Sequence, residues 1–314
     1  MHVIGLVLHP ERDCGGAVAA ILAWAARRRI EVLGVETEIR RLNCAAHPVP
    51  PEDLAKRADL IVSLGGDGTM LRAMRLADRH VMPGPAATGG EADRADPPAR
   101  HCPILGVNLG KLGFLAEVDV PDLHSALSAI DDHRYTIEPR LAVDATCSGQ
   151  VVTAFNDLAF VRYPGKPTAA IAVVAAGRTF VSYAADAIVV ATPTGSTAYS
   201  FSAGGPIVSP AVEALLVTPA APHSAYNRGL VVSLADELSL EVLPASGPLA
   251  VEADGIVTAD VAPGDRIDLR PRRGAAHVVR LGRATFYERA RRKLRLTDSA
   301  EIFDGPGHDA IQSQ

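Results

Sequence analysis

The sequence is poor in cysteine and in aromatic residues, and both shortages narrow what the chain can be. Its four cysteines, Cys14, Cys44, Cys102 and Cys147, are widely spaced with no C-x-x-C pair. Neither a zinc ribbon nor a dithiol redox motif can be built from them, and scattered reduced thiols suit the cytosol. Aromatics make up 4% of the chain, too few for a broad base-stacking platform. No apolar run approaches the roughly 18 residues of a membrane span. The opening stretch MHVIGLVLHPERD has no basic segment ahead of its apolar residues, so it reads as a strand and not as a secretory signal. Neither charge dominates, since 31 basic against 36 acidic residues leave a net −5. That balance disfavours a polyanion spread over a large surface, but it leaves room for one phosphorylated ligand in a pocket. The expectation is a cytoplasmic protein with no nucleic-acid and no membrane partner.

What the chain does have is material for a large core. Hydrophobic residues are 48% and charged residues 21% of 314, a composition foreign to disordered, collagen-like and disulfide-stapled proteins. At roughly 100–200 residues per domain, the length suits two domains or one large α/β domain. In the first third, the apolar runs Val3–Leu8, Val32–Val35, Ala58–Leu64 and Pro103–Val107 alternate with helical stretches such as Gly15–Arg29. Continuous apolar strands between helices predict a parallel sheet covered on both faces. Residues 83–103 are rich in turn formers and read as a mobile surface excursion.

From about residue 135 the texture changes to strand after strand. Leu141–Cys147, Val151–Phe160, Ala170–Ala175, Phe180–Tyr183 and Ala187–Ala191 come first, then Leu230–Leu234, Leu238–Leu243, Leu249–Ala253 and Arg266–Leu269. Turn signals at Ala253-Asp254-Gly255 and Pro263-Gly264-Asp265 point to antiparallel pairing. Phe286–Leu296 (FYERARRKLRL) reads as a short basic helix or a strand running into one. The expected fold is therefore α/β: a Rossmann-like N-terminal domain over residues 1–118, then a β-rich domain, a β-sandwich, over 119–283. Residues 284–300 are expected to return to the first domain, and 301–314 to form a flexible tail.

Four motifs carry chemistry. Leu64-Gly65-Gly66-Asp67-Gly68-Thr69 follows an apolar strand and opens a helix, a geometry that presents backbone N–H groups to phosphate. It is neither G-x-x-x-x-G-K-[ST] nor G-x-G-x-x-G. Its odd member is Asp67, a carboxylate in a phosphate turn, which makes sense if a metal or a substrate hydroxyl lies between. The alternative is an Asp-Gly turn that only caps the helix. Thr192–Pro206 (TPTGSTAYSFSAGGP) is dense in hydroxyls and glycines, suited to ribose and amide recognition, or else a small-residue helix packed against a neighbour. Asn156-Asp157 interrupts an apolar strand and could be a hairpin turn. Asn108–Leu115 (NLGKLGFL) is a glycine-bracketed bend at a strand exit.

In this order the four motifs resemble the NAD kinase family, of bacterial type, which phosphorylates NAD at the 2′-hydroxyl of its adenosine ribose. GGDGT alone is shared with lipid kinases and phosphofructokinases; NLGKLGFL with TPTGSTAYSFSAGGP is more specific. The resemblance spans roughly residues 60–295 and includes Pro222-His223-Ser224. It implies that Asp67 is the catalytic acid–base residue and that Gly66 and Gly68 shape the phosphate turn. Arg72 becomes a ligand contact (or a plain surface arginine), and Phe114 a wall beside the adenine. Asn156 and Asp157 would hold ribose or adenine, and Asp186 would orient the second half of the dinucleotide. Thr197, Ala198, Tyr199, Ser200 and Ser202 would line the adenosine pocket. The implied partners are NAD or NADH, ATP or polyphosphate, and Mg²⁺ held through donor phosphates with no protein side chain as metal ligand. A homodimer or homotetramer built through the β-rich domain is also implied. The chain departs from the family in Asp157, where Glu is usual, in Ala187, where Gly is usual, and in longer stretches at 163–167 and 83–103. A lipid or small-molecule kinase and a non-catalytic dinucleotide sensor are the alternatives.

Overall fold

A computed structural model describes residues 1–80, 101–110, 113–223 and 226–297. Most of the 83–103 excursion, the 301–314 tail, and Lys111, Leu112 and Ser224 lie outside the described residues.

The first half is built as β1 (Val3–Leu8), α1 (Gly15–Ala26), β2 (Glu31–Val35), α2 (Glu36–Leu42), β3 (His47–Val49), α3 (Pro51–Arg57), β4 (Leu60–Gly65), α4 (Asp67–Arg79), β5 (Pro103–Asn108), the two-residue β6 (Val118–Asp119) and α5 (Leu123–Asp131). Strands β5, β4, β1, β2 and β3 lie side by side and parallel. The central strands are buried along almost their whole length, which is why their sequences are continuously apolar and not alternating. Helix α4 buries Met70, Ala73, Met74 and Ala77, the i, i+3, i+4, i+7 spacing of one helical face. Helix α5 buries Leu123, Ala126, Leu127 and Ile130 on one face of its own, in one core with Ile4, Leu6 and Trp24. The α/β layer thus reaches beyond the line expected near residue 118, because α5 finds its apolar partner on α1.

The second half continues as β7 (Thr136–Cys147), β8 (Gln150–Ala154), β9 (Asp157–Arg162), β10 (Ala169–Ala175), β11 (Arg178–Ala185), β12 (Ala187–Ala191), the one-turn α6 (Tyr199–Ser202), β13 (Ala214–Ala220), β14 (Leu230–Ser233), β15 (Leu238–Val242), β16 (Leu249–Ala253), β17 (Ile256–Val261), β18 (Arg266–Arg280) and α7 (Phe286–Leu294). Strand β18 is 15 residues long. It pairs in parallel with β5 at one end and antiparallel with β7 and β15, so one twelve-stranded sheet runs from the α/β layer into the β-rich half. A six-stranded sheet, β14-β13-β12-β9-β16-β17, stacks on that extension. Leu158, Phe160, Ile188, Val190 and Val217 from one sheet meet Ile171, Val173, Leu240 and Ile267 from the other. An α/β half followed by a β-sandwich is therefore the fold, as the sequence implies. No helix among the described residues is long and apolar enough to cross a membrane.

Three expectations are corrected. Val151–Phe160 is not one strand but two, since β8 belongs to the large sheet and β9 to the small one. The break at Phe155-Asn156 is therefore a crossing between sheets and not a hairpin turn. Ala214–Ala220 escaped notice altogether: the run ALLVTPA is a fully buried strand whose Pro219 disguises it. The strand read over Arg266–Leu269 runs on to Arg280 through an irregularity between Arg272 and Ala276. Phe160 lies fully buried between the two sheets; Phe160→Ala should cost about 3–5 kcal/mol, read as a fall in the urea midpoint with an unchanged slope.

Candidate active site

Strand β4 ends at Gly65, Gly66 is extended, and Asp67 opens α4. Asp67 does not cap its own helix. Its carboxylate reaches across to the bend after β5, where Oδ2 accepts the Phe114 N–H (3.1 Å) and Oδ1 the Leu115 N–H (3.0 Å). A Cβ on Gly113 would stand 2.2 Å from Oδ1, so only glycine lets the carboxylate lie against this backbone. From the other side the Lys293 ammonium of α7 sits 2.6 Å from Oδ2 and 4.6 Å above the Phe114 ring centre. Added Cβ atoms on Gly66 and Gly68 would meet nothing within 4 Å. Their open side, with the outward-pointing N–H groups of the helix start, borders a cavity of about 500 Å³ that Asp67, Arg72, Arg75 and Lys293 share. Arg72 is held at its wall by Glu38 and by the Leu8 carbonyl at 3.0 Å.

The second candidate wall is the loop after β12, none of whose residues lines that cavity. Thr192 donates its hydroxyl to the Phe155 carbonyl (2.6 Å) and its N–H to the Asn156 carbonyl (2.9 Å). Gly195 packs so close to Asn156 that a Cβ would lie 2.0 Å from its carbonyl oxygen. Ser196 commits its hydroxyl to Pro193 and Val208 (2.8 and 3.0 Å). Ser200 commits its own to Thr218 (3.0 Å), fully buried. The pocket-lining role expected of Ser200 is thus corrected to a structural one: its hydroxyl fastens the loop to β13. Thr197, Ala198 and Tyr199 are half-buried and Ser202 is exposed, which leaves them open to a ligand. Asp186 sits at the opposite end of β12, ion-paired with Arg162 at 2.6 Å and outside the Asp67 cavity. Its charge still reaches Tyr199, whose phenol is raised by burial first and then by Glu252, Asp157 and Asp186.

Between the walls lies the 155–157 crossing, held by a residue that sequence reasoning treated only as a turn former. The Asp254 carboxylate has no exposure and accepts the N–H groups of Phe155 (3.1 Å) and Asn156 (2.7 Å), while pairing with Arg75 of α4 at 2.7 Å. These backbone donors have left one sheet and not yet entered the other, and Asp254 replaces the missing strand partners. Its backbone is left-handed, φ +49°, a region Asp tolerates better than most residues, and the Asp254-Gly255 dipeptide is the one sequence signal of it. Asn156 is half-buried beside it and Asp157 is buried. Burial, with the Asp254 charge adding, pushes Asp157 up to about 7 against the pull of the Tyr199 N–H.

Behind both walls, Glu138 of β7 pairs with Arg140 and with Arg280. Arg140 donates to the Thr194 hydroxyl (3.1 Å) and Arg280 to the Leu115 carbonyl (2.9 Å). The Nε groups of Arg140, Arg280 and the nearby Arg289 have no hydrogen-bond partner in the structure. Sequence reasoning passed over all four residues, because nothing local marks residues 138–140 and 280 as neighbours.

The family described as ATP-NAD kinase C-terminal domain matches residues 155–281. NAD kinase 1 of Streptomyces avermitilis is 36% identical over 96% of this chain and 90% of its own length. The NAD kinase of Desulforamulus reducens is 35% identical over 94% and 98%. The chain belongs to the NAD kinase family. Among solved structures, a yeast NADH kinase complexed with NADH covers 95% of this chain and 89% of its own, with TM-score 0.77 and 23% identity, a likeness of fold alone. An Archaeoglobus fulgidus NAD kinase in complex with ATP covers 93% and 98%, with TM-score 0.68 and 25% identity. These likenesses favour neither the lipid-kinase nor the sensor alternative. Asp67, Asn156 and Asp157 come from both halves of the fold, and Glu138 and Asp254 join the elements that carry them.

Two outcomes follow from this geometry. Gly113→Ala should leave the fold intact by circular dichroism and cut turnover by about 100-fold, the cost of misplacing one group near the chemistry; wild-type turnover would mean that the Asp67 position is not critical. For Asp157, the folded protein holds the proton more tightly than an unfolded chain, whose aspartates titrate near about 3.9. Stability is therefore lost as pH rises from about 4 to about 7. Asp157→Asn should flatten that decline, read as a smaller drop in thermal midpoint between pH 5 and pH 8.

Proposed function

We propose that the cleft between the Asp67 turn and the Thr192–Gly205 loop transfers a phosphoryl group from ATP to the 2′-hydroxyl of the adenosine ribose of NAD. The observation that carries this reading is the Asp67 carboxylate, fixed by two backbone N–H groups beside the open backbone of Gly66 and Gly68. Phosphoryl transfer passes through a loose transition state, so catalysis consists mainly of positioning and charge neutralisation. A carboxylate is too weak a base to take a sugar proton early. Asp67 accepts a hydrogen bond from the 2′-hydroxyl, aligns its oxygen with the γ-phosphorus and receives the proton late. Orientation of this kind is worth on the order of 7–11 kcal/mol.

The β-rich wall supplies acceptor recognition. Asn156 and Asp157 hold ribose or adenine, Thr197, Ala198, Tyr199 and Ser202 line the adenosine pocket, and Asp186 faces the remainder of the dinucleotide. Phe114 walls the adenine side, and Arg72 faces the donor. NADH as a second acceptor and polyphosphate as a second donor belong to the same proposal; a cavity lined by open glycine backbone and by Arg72, Arg75 and Lys293 supports the polyphosphate half of it.

Among the described residues no group of three His, Cys, Asp or Glu side chains could cage a metal. Of the two carboxylates that line the cavity, Asp254 is committed to Arg75 and to backbone N–H groups, so Asp67 is the one beside a Mg²⁺ that would arrive on the donor phosphates with water as its other ligands. When bound, the cation offsets the phosphate charge next to Asp67. We also propose a homodimer or homotetramer through the β-rich half, supported by the edge strand β11, which presents Phe180 with 64% of its surface exposed.

The test uses purified protein with NAD, ATP and Mg²⁺, and detects NADP with a coupled dehydrogenase. Asp67→Asn should still bind NAD in calorimetry and lose at least about 100-fold in kcat. Near-wild-type kcat in that variant would remove Asp67 from the mechanism.

A further inference from the structure

Helix α7 is anchored at its start. Thr285 accepts the Glu288 N–H and Glu288 accepts the Thr285 N–H, a reciprocal capping box. Phe286 then packs against Phe114, with ring centres 6.5 Å apart. Phe286, Arg289, Ala290 and Lys293 fall at i, i+3, i+4 and i+7, one face of the helix, and Arg289 and Ala290 on that face are buried. Lys293 is thus the last residue of an inward face, although it stands within a strongly basic stretch that reads as solvated.

The ammonium is placed with some precision. It lies 2.6 Å from Asp67 Oδ2, rests on the Phe114 ring and is one-third exposed toward the cavity it shares with Arg72. Each carboxylate oxygen has about two acceptor positions. Oδ2 uses both, on Phe114 N–H and Lys293, while Oδ1 uses one, on Leu115 N–H. The position left for a substrate hydroxyl is therefore on Oδ1. An ammonium has three donors, and only one is engaged by Asp67. The transfer also has an electrostatic difficulty, because a carboxylate and an anionic phosphoryl group must approach the same acceptor oxygen. A cation that touches the first and faces the second relieves it.

Resting on the phosphotransfer reading above, we propose that Lys293 is a further catalytic residue: its ammonium bridges the Asp67 carboxylate and the phosphoryl group in transfer. The bond that forms joins the acceptor 2′-oxygen to the γ-phosphorus, and the bond that breaks joins the γ-phosphorus to the β,γ-bridging oxygen. ADP leaves with that electron pair and Asp67 takes the hydroxyl proton. Lys293 keeps its own proton throughout and moves only its hydrogen bonds. The competing role is a brace that merely ties α7 to α4.

The experiment compares wild type, Lys293→Met and Lys293→Arg in the full chain. Lys293→Met keeps the length of the side chain and removes the charge. If the ammonium contacts the phosphoryl group, kcat falls by about 100-fold, as for other lost transition-state contacts, while the calorimetric Kd for NAD stays within about threefold and Tm is nearly unchanged. Lys293→Arg then restores about tenfold of the loss. A Lys293→Met kcat within about threefold of wild type overturns the proposal, and so does a parallel loss of kcat, NAD affinity and Tm, which is the signature of a brace. A second measurement needs only wild-type fold. The ¹⁵N-lysine resonance of Lys293, assigned by its disappearance in Lys293→Arg, should shift when the non-hydrolysable β,γ-imido analogue of ATP is added, and an unmoved resonance also overturns the proposal. Wild-type protein that made no NADP would instead refute the phosphotransfer reading itself.

Discussion

The Asp67 turn and the Thr192–Gly205 loop belong to different halves of the fold, and the half-buried carboxylate of Glu138 ties them together. Glu138 takes Arg140 on one side and Arg280 on the other. Arg140 passes the connection to Thr194 in the hydroxyl-rich loop, and Arg280 passes it to Leu115, whose N–H holds Asp67. Three arginines and one glutamate in a buried cluster leave an excess of positive charge. Burial opposes that charge, pulling Arg140 and Arg289 down, while Glu138 is held low by its arginine partners against its own desolvation. Such an arrangement is unfavourable in isolation. It makes sense beside a site that must hold Asp67 and attract phosphates, and the Asp67 charge indeed counts among those that favour charged Arg140.

The crossing at 155–157 rests on a parallel device. Asp254 supplies three successive backbone donors at the sheet crossing with the acceptor they would otherwise lack, and anchors the assembly to α4 through Arg75. The strain of this device falls on Asp157, which is buried next to a second carboxylate and so keeps its proton to higher pH than an ordinary aspartate. The Asp67 turn and the 155–157 crossing are therefore registered to each other by these polar contacts and by an apolar core that Met70, Leu71 and Met74 share with Phe155.

Much of this was legible in the sequence, and what was not has a common cause. Continuous apolar strands between helices announced the parallel sheet, and the glycine turn at Gly65–Gly68 announced the passage from strand to helix, because both signals are local. The hydroxyl-rich run stands out in the sequence, but the sequence does not show which of its hydroxyls are consumed internally: Ser196 and Ser200 are engaged by Val208 and Thr218, partners more than ten residues away. The break between β8 and β9 depends on Asp254, almost a hundred residues on, and the holder of Asp67 depends on Lys293, more than two hundred residues on. Periodicity and turn chemistry do not reach across such separations.

Strand β18 belongs at once to the α/β layer, through β5, and to the sandwich, through β7 and β15. The short β5–β18 pairing joins the two halves through one hydrogen-bonded sheet and not through an irregular linker. Adjustment to a substrate has to come from pieces laid over the sheet: the 113–115 bend, the Thr192–Gly205 loop and the C-terminal helix. The entropy of bringing donor and acceptor sides together is thus lost at folding and not in each catalytic cycle. A mutation that loosened β18 at its Arg272–Ala276 irregularity would degrade substrate alignment before it degraded affinity for either substrate alone.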